Sequence, residues 1–249
     1  MEPVKTAILI IGDEILSGRT RDINVQQIAS FLAPLGLSVG EVRIVADEAD
    51  QIIEALNTLR ARYRYVFTTG GIGPTHDDIT AECVAAAFDV ALTLRDDARA
   101  ILEDWYARSN TEVTPARLRM ARIPDGARLI ANPVTGAPGF QLDNVFVMAG
   151  VPKIVRAMLE DIADRLEGGA VTQSISVRLD GVREGDIAEA LGQTALNYPD
   201  LSLGSYPWFE DNEAGEMTRG VVLVARGADE ARLKAVESEL QGFSRFLKV

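Results

Sequence analysis

One cysteine, Cys83, and one histidine, His76, are all that the 249-residue chain has of either type. A single thiol excludes an internal disulfide and a cysteine-rich metal centre. Cys83 lies among Ala81, Val84 and Ala85 in a helical pattern and reads as a small buried hydrophobe. A lone histidine rules out a multi-histidine metal site. A Ser-His-Asp triad would have to use His76, and no Gly-x-Ser-x-Gly elbow accompanies it. Long apolar runs are missing too: none approaches the roughly 18 residues of a membrane helix, and Ala7–Ile11 is too short for a signal-peptide core. No membrane partner is expected, and a reducing, cytoplasmic setting is. Basic residues are outnumbered, 25 against 37 acids, for a formal net charge of −12. With Lys and Arg interspersed among acids, the chain offers no nucleic-acid surface. An anionic ligand must be held locally, by backbone amides, a few arginines or a metal ion.

What remains is an ordinary globular composition, 47% hydrophobic and 25% charged. The first two-thirds alternates strand and helix patterns. Thr6–Gly12 (TAILIIG) is a continuous apolar run stopped by glycine, the pattern of a strand buried on both faces. Helices are predicted over 24–35 and 47–62, the second with Asp47 as N-cap. Strands are predicted over 38–45 and 65–69, and a further helix from about Asp78 to Phe88. This order implies right-handed crossovers and a parallel, helix-covered sheet. Further on, 95–109 reads as a helix, Thr114-Pro115 as a short helix start, 128–130 and 145–148 as strands, Asn132–Gly139 as a loop, and 153–166 as a helix. Glu167-Gly168-Gly169 reads as a linker. Beyond it a strand at 172–179, a helix at 185–191, strands at 201–208 and 220–225 and a long helix at 228–246 make a β-α-β-β-α unit. The expected fold is therefore an α/β domain over 1–167 with a mainly parallel sheet, followed by a small α+β subdomain over 170–249.

The chemistry concentrates in Thr68–Thr80, TTGGIGPTHDDIT. Three glycines after a buried strand and before a helix let the backbone turn tightly and present amides to phosphate oxygens. In a parallel sheet this turn lies at the carboxyl edge, where ligands bind at a switch in strand order. It has neither the Gly-Lys-Ser/Thr of a Walker loop nor the form of a dinucleotide fingerprint. A ligand-free turn is the plain alternative. Asp77 and Asp78 repel phosphate unless a cation lies between or they face donor-rich groups; one of the pair, Asp77, also fits a helix cap. Gly12-Asp13-Glu14 ends the first strand and Asp47 follows the second, each again with capping as the plain alternative. Three successive strands nevertheless deliver Asp13, Asp47 and Asp78 to one edge. His76 reads as a polar loop residue, and Trp105, Tyr106 and Trp208 as packing.

GDEILSG (Gly12–Gly18), Asn24, the TTGGIGPTHDDIT string, NPVTGAPGF (Asn132–Phe140) and GVP (Gly150–Pro152) together resemble the molybdopterin-binding, MoaB/Mog-like domain family. Within it they are most similar to the amino-terminal domain of the CinA (competence/damage-inducible) proteins, and Leu203–Pro207 extends the likeness toward the end of the chain. The resemblance implies a three-layer α/β sandwich. Relatives bind molybdopterin, adenylylate it or insert molybdate. CinA-type domains hydrolyse the diphosphate of ADP-ribose with a divalent metal, and a similar domain in FAD synthases is associated with FAD hydrolysis. Relatives form dimers and trimers, so a homo-oligomer is expected. Two aspartates critical in Mog proteins fall on Asp47 and Asp78, the implied catalytic pair. The sequence departs from the family at Thr135-Gly136, usually Gly-Thr, and at Lys153-Ile154, usually Glu-Met. The carboxy-terminal amidohydrolase domain of full-length CinA is not expected, the sequence stopping at Val249.

Two functions fit these residues: a pyrophosphatase acting on an ADP-ribose- or FAD-like dinucleotide with Mg²⁺ or another divalent ion, or a non-catalytic molybdopterin binder. The candidate ligand-binding residues are Gly12, Asp13 and Glu14 on the first strand's end, and Thr69, Gly70, Gly71, Ile72, Gly73, Pro74, Thr75 and Asp77 in the turn. Asn132, Pro133 and Gly139 join them from the loop, and Asp78 and Asp13 are the candidate metal ligands.

Overall fold

The structure is a computed structural model and describes residues 4–211 and 215–246. It divides into two compact units, Met1–Ala170 and Val171–Val249. The first contains β1 (Val4–Ile11), α1 (Asp13–Leu16), α2 (Asn24–Leu32), β2 (Leu37–Val45), α3 (Ala49–Arg62), β3 (Tyr65–Thr69) and α4 (Thr80–Phe88). It continues through β4 (Leu92–Leu94), α5 (Asp96–Arg108), α6 (Pro115–Leu118), β5 (Arg122–Pro124), β6 (Arg128–Ile130), β7 (Gly139–Leu142), β8 (Val145–Met148) and α7 (Pro152–Ile162). Six strands form one sheet in the order β2-β1-β3-β8-β7-β6. The first four run parallel, and β7 and β6 fold back antiparallel.

The continuous apolar run in β1 is explained by what covers it. Ala7, Leu9 and Ile11 pack on one side with Ile52 and Leu56 of α3 and Val84 of α4. Ile8 and Ile10 pack on the other with Ile28 and Leu32 of α2 and Val155 and Met158 of α7. A strand buried on both faces favours apolar side chains at nearly every position, and each such Leu or Ile contributes about 1.5–3 kcal/mol by leaving water. The result is a three-layer sandwich with a mostly parallel centre. Cys83 belongs to the α4 layer, where burial, aided by Glu82, pushes its thiol up to about 11, so it remains a neutral apolar filler. From β1 the chain crosses to β2 on one side and then to β3 on the other, so the carboxyl ends of β1 and β3 flank the sheet's switch point.

Three local expectations are corrected. Neither Asp47 nor Asp77 caps a helix: α3 starts after Glu48 and α4 after Ile79, each without a side-chain cap. Gly139 is not in the loop but opens β7, its α-carbon so close to β8 that an added Cβ would lie 2.4 Å from the Val147 carbonyl oxygen. The short strands β4 and β5, which pair with each other, lie in stretches without a strand pattern.

The second unit runs β9 (Gln173–Asp180), α8 (Glu184–Asn197), β10 (Ser202–Asp211), β11 (Met217–Gly227) and α9 (Glu230–Gln241). Its antiparallel sheet, ordered β10-β11-β9, buries Val177, Leu179 and Leu223 with Ile187, Leu233 and Val236 of the two helices. Asp229 caps α9 by accepting the Ala231 and Arg232 backbone N–H groups. The long helix expected over 228–246 ends at Gln241 and tightens into a 3₁₀ turn over Gly242–Phe246. Among the described residues no helix is long and apolar enough to cross a membrane.

Candidate functional site

The turn after β3 is held open by glycine geometry. Gly70 and Gly71 have φ of 105° and 64°, a region that penalises side chains. A Cβ on Gly70 would lie 2.0 Å from the Ile11 carbonyl oxygen, and one on Gly71 would lie 2.3 Å from Thr80 Oγ1. Thr80, buried at the first position of α4, locks the turn: its Oγ1 donates to the Gly70 carbonyl at 2.9 Å and its N–H to the Gly71 carbonyl at 3.0 Å. The Asp78 carboxylate pins the far end, accepting the Thr75 N–H at 2.8 Å and the Thr75 hydroxyl. Asp78 thus shapes the turn as well as facing the cavity beneath it.

That cavity has a volume of about 520 Å³. Gly12 and Glu14 reach it from the end of β1 and Asp47 from the end of β2, while Gly70, Gly71, Ile72, Gly73, Asp77 and Asp78 come from the turn. The described residues lining it include four acids and no Lys or Arg. Asp13 is exposed beside it and is tied to Asp47 reciprocally: the Asp13 N–H donates to Asp47 Oδ2 at 2.9 Å, and the Asp47 N–H to Asp13 Oδ1 at 3.4 Å. Burial holds the Asp47 carboxyl above the usual Asp range, reinforced by the charges of Asp13, Glu14 and Asp77 and opposed by the Asp13 N–H. Asp47 and Asp13 are therefore tied through their backbones, each carboxylate accepting the other residue's N–H.

The remaining candidates separate. Asn132 is buried and lines the cavity, but its amide is committed to its own loop. It accepts from the Val134 and Thr135 N–H groups and donates to Thr135 Oγ1 and the Ala137 carbonyl. Pro133 borders a different cavity, of about 410 Å³, beside Trp105. Pro74 and Thr75 sit on the exposed rim, and Thr69 is buried behind the turn, facing a small annexe. Thr20, Met120, Thr135 and the stretch Ala149–Pro152 also line the main cavity. Of these Thr135, in the NPVTGAPGF string, and Gly150–Pro152, as the GVP string, carried a sequence signal.

Mg²⁺ takes hard oxygen ligands and is commonly bound through one or two carboxylates plus substrate phosphates. Among the described residues no group of three or more His, Cys, Asp or Glu side chains is arranged to hold a metal unaided. Asp78 on the cavity and Asp13 beside it, the candidate metal ligands, supply two hard carboxylates, so an ion held there would draw its further oxygens from a ligand.

A parallel sheet covered on both faces, with a glycine-lined cavity at its switch point, places the protein in the doubly wound α/β class. More particularly, the chain belongs to the family described as "Probable molybdopterin binding domain", which matches residues 7–168, and to its CinA-like members. A second match, "FAD synthase, middle domain", covers residues 170–244. A CinA-like protein of Citrifermentans bemidjiense is 40% identical over 197 residues, 76% of this chain and 47% of its own length. The chain thus spans about half the length of that relative. A protein of Aeropyrum pernix is 34% identical over 252 residues, 94% of this chain and 92% of its own. The crystal structure of CinA, of unknown function, from Thermoplasma acidophilum superposes with a TM-score of 0.60 at 34% identity, covering 65% of this chain and 98% of that one.

Proposed function

We propose that the protein hydrolyses the diphosphate linkage of a nucleotide such as ADP-ribose or FAD, with Mg²⁺ or another divalent ion. The observation that carries this reading is Asp47, its carboxyl raised above the usual range and tied to Asp13 beside a glycine turn of phosphate-binding form. The match of residues 170–244 to the middle domain of FAD synthase supports a nucleotide ligand.

Backbone amides of Gly70–Gly73 hold the phosphate oxygens in this reading. Asp13 and Asp78 would hold a divalent ion, which would supply positive charge against the diphosphate and polarise it, leaving Asp47 free of the metal. Asp47 Oδ1 makes no hydrogen bond within the described residues, so it is free to accept a proton from water as the water oxygen bonds to phosphorus. The P–O bond to the other phosphate then breaks, and ADP-ribose yields AMP and ribose phosphate. Purified protein with Mg²⁺ and ADP-ribose or FAD is expected to release AMP, and Asp47→Asn to slow that release by roughly 10²–10⁴-fold. Release no greater than in buffer ends this reading.

A second reading, non-catalytic binding of molybdopterin, is favoured by the family description. Tight molybdopterin binding with no turnover of any nucleotide decides for it.

A further inference from the structure

Behind the glycine turn lies an annexe of about 60 Å³, which shares Glu14, Thr20 and Gly150 with the main cavity. Two side chains lining it carry buried oxygens without a hydrogen-bond partner among the described residues, Asn24 Oδ1 and Thr69 Oγ1. Asn24 is 5% exposed and Thr69 1%. The orientation of Asn24 is fixed, because its Nδ2 donates to the Gly150 carbonyl at 2.8 Å. The oxygen of the same amide is thereby turned elsewhere, as an acceptor only. Thr69 is the last residue of β3 and, by strand alternation, faces the α2 side with Tyr65 and Phe67.

A buried acceptor and a buried hydroxyl left unmatched each carry their full desolvation penalty. Both oxygens are closed to water as the chain stands, so a ligand group meets them through a small shift of the annexe wall, and the two unmatched oxygens then receive a hydrogen-bond donor. Glu14 and Asp22 line it against the single Arg21, a net negative lining that disfavours an anion there. A volume of this size holds a few waters or one protruding group, not a ring. Resting on the proposed nucleotide or pterin site, we infer that Asn24 Oδ1 and Thr69 Oγ1 read an uncharged donor group of the ligand bound at the glycine turn. Two sources share that chemistry: the exocyclic amine of a purine or pterin ring, and a ribose hydroxyl.

Thr69→Val tests this without harming the fold, since it keeps the shape and removes a hydroxyl that bonds to nothing in the described residues. Thr68→Val is the control. Thr68 Oγ1 is equally buried and unpartnered but lies on the opposite face of β3, with Val66. Binding of ADP-ribose, inosine diphosphoribose (which lacks the amine) and a phosphorylated pterin is measured by calorimetry, beside thermal melts of each variant. The expected result is affinity lowered about 3–10-fold in Thr69→Val for at least one probe, the weight of one neutral hydrogen bond. Its melting temperature is expected to be unchanged or raised, and Thr68→Val to bind as wild type. Loss for ADP-ribose and the pterin but not the inosine compound assigns the amine; equal loss for both nucleotides, with the pterin unaffected, assigns a hydroxyl. Wild-type affinity of Thr69→Val for every probe overturns the inference and leaves the proposed site standing. Wild-type protein that binds none of the probes overturns both.

Discussion

Asp47 is half-buried among acids, and a proton on its carboxyl is held more tightly in the folded chain than in the unfolded one. Above the raised value the native state carries a charge it has partly desolvated, so this residue lowers stability at neutral pH. Stability falls as pH rises from the ordinary Asp range through the raised value, and the loss is relieved as pH drops back through that window. Asp47→Asn keeps an oxygen for the Asp13 N–H and removes the charge. It is expected to raise the melting temperature at about pH 7, with the gap over wild type closing toward about pH 4. The same substitution removes the proposed base, the usual exchange of stability for function at a working site. Melting curves across that range check the claim; a gap of constant size contradicts it.

At the scale of the element, the strand-turn-helix β3–α4 is held by reciprocal contacts that leave no room for a side chain. Gly71→Ala adds a Cβ at φ 64° and 2.3 Å from Thr80 Oγ1, which must then release the Gly70 carbonyl. The left-handed backbone costs about 1–2 kcal/mol and the lost hydrogen bond about 1 kcal/mol. Urea unfolding should therefore show a loss of about 2–3 kcal/mol. Gly18→Ala, at φ 72° with nothing within 4 Å, isolates the backbone part and should lose only about half as much. The turn was readable beforehand because its causes are local: a buried apolar strand, then glycines, then a helix pattern, though its start was expected near Asp78 rather than at Thr80. The same holds for β1 and the β-α-β-β-α pattern near the chain's end. The tie between Asp13 and Asp47 was not readable. It joins residues 34 apart in sequence, and from spacing alone each looked like a helix cap. Thr20 and Met120 face the cavity only because the chain folds them there, and no local pattern marks them. Gly139 was hidden within a Gly/Pro-rich string, although its lack of a side chain serves sheet packing rather than a turn.

For the molecule as a whole, two family matches and two compact units divide the chain at nearly the same place, 168–170 against Ala170. Each unit closes a core of its own. The first draws on residues between 7 and 162, the second on residues between 177 and 243. Every described residue lining the main cavity lies between Ile11 and Ile154, within the first unit. Leu223 is fully buried in the second core, and Leu223→Ala is expected to cost that unit about 2–5 kcal/mol through lost burial and the cavity left behind. Calorimetric melting should show the loss confined to one transition, with ADP-ribose or molybdopterin bound as tightly as by wild type. A parallel fall in affinity would mean that the second unit supports the site. The division of labour drawn from the two cores would then be wrong.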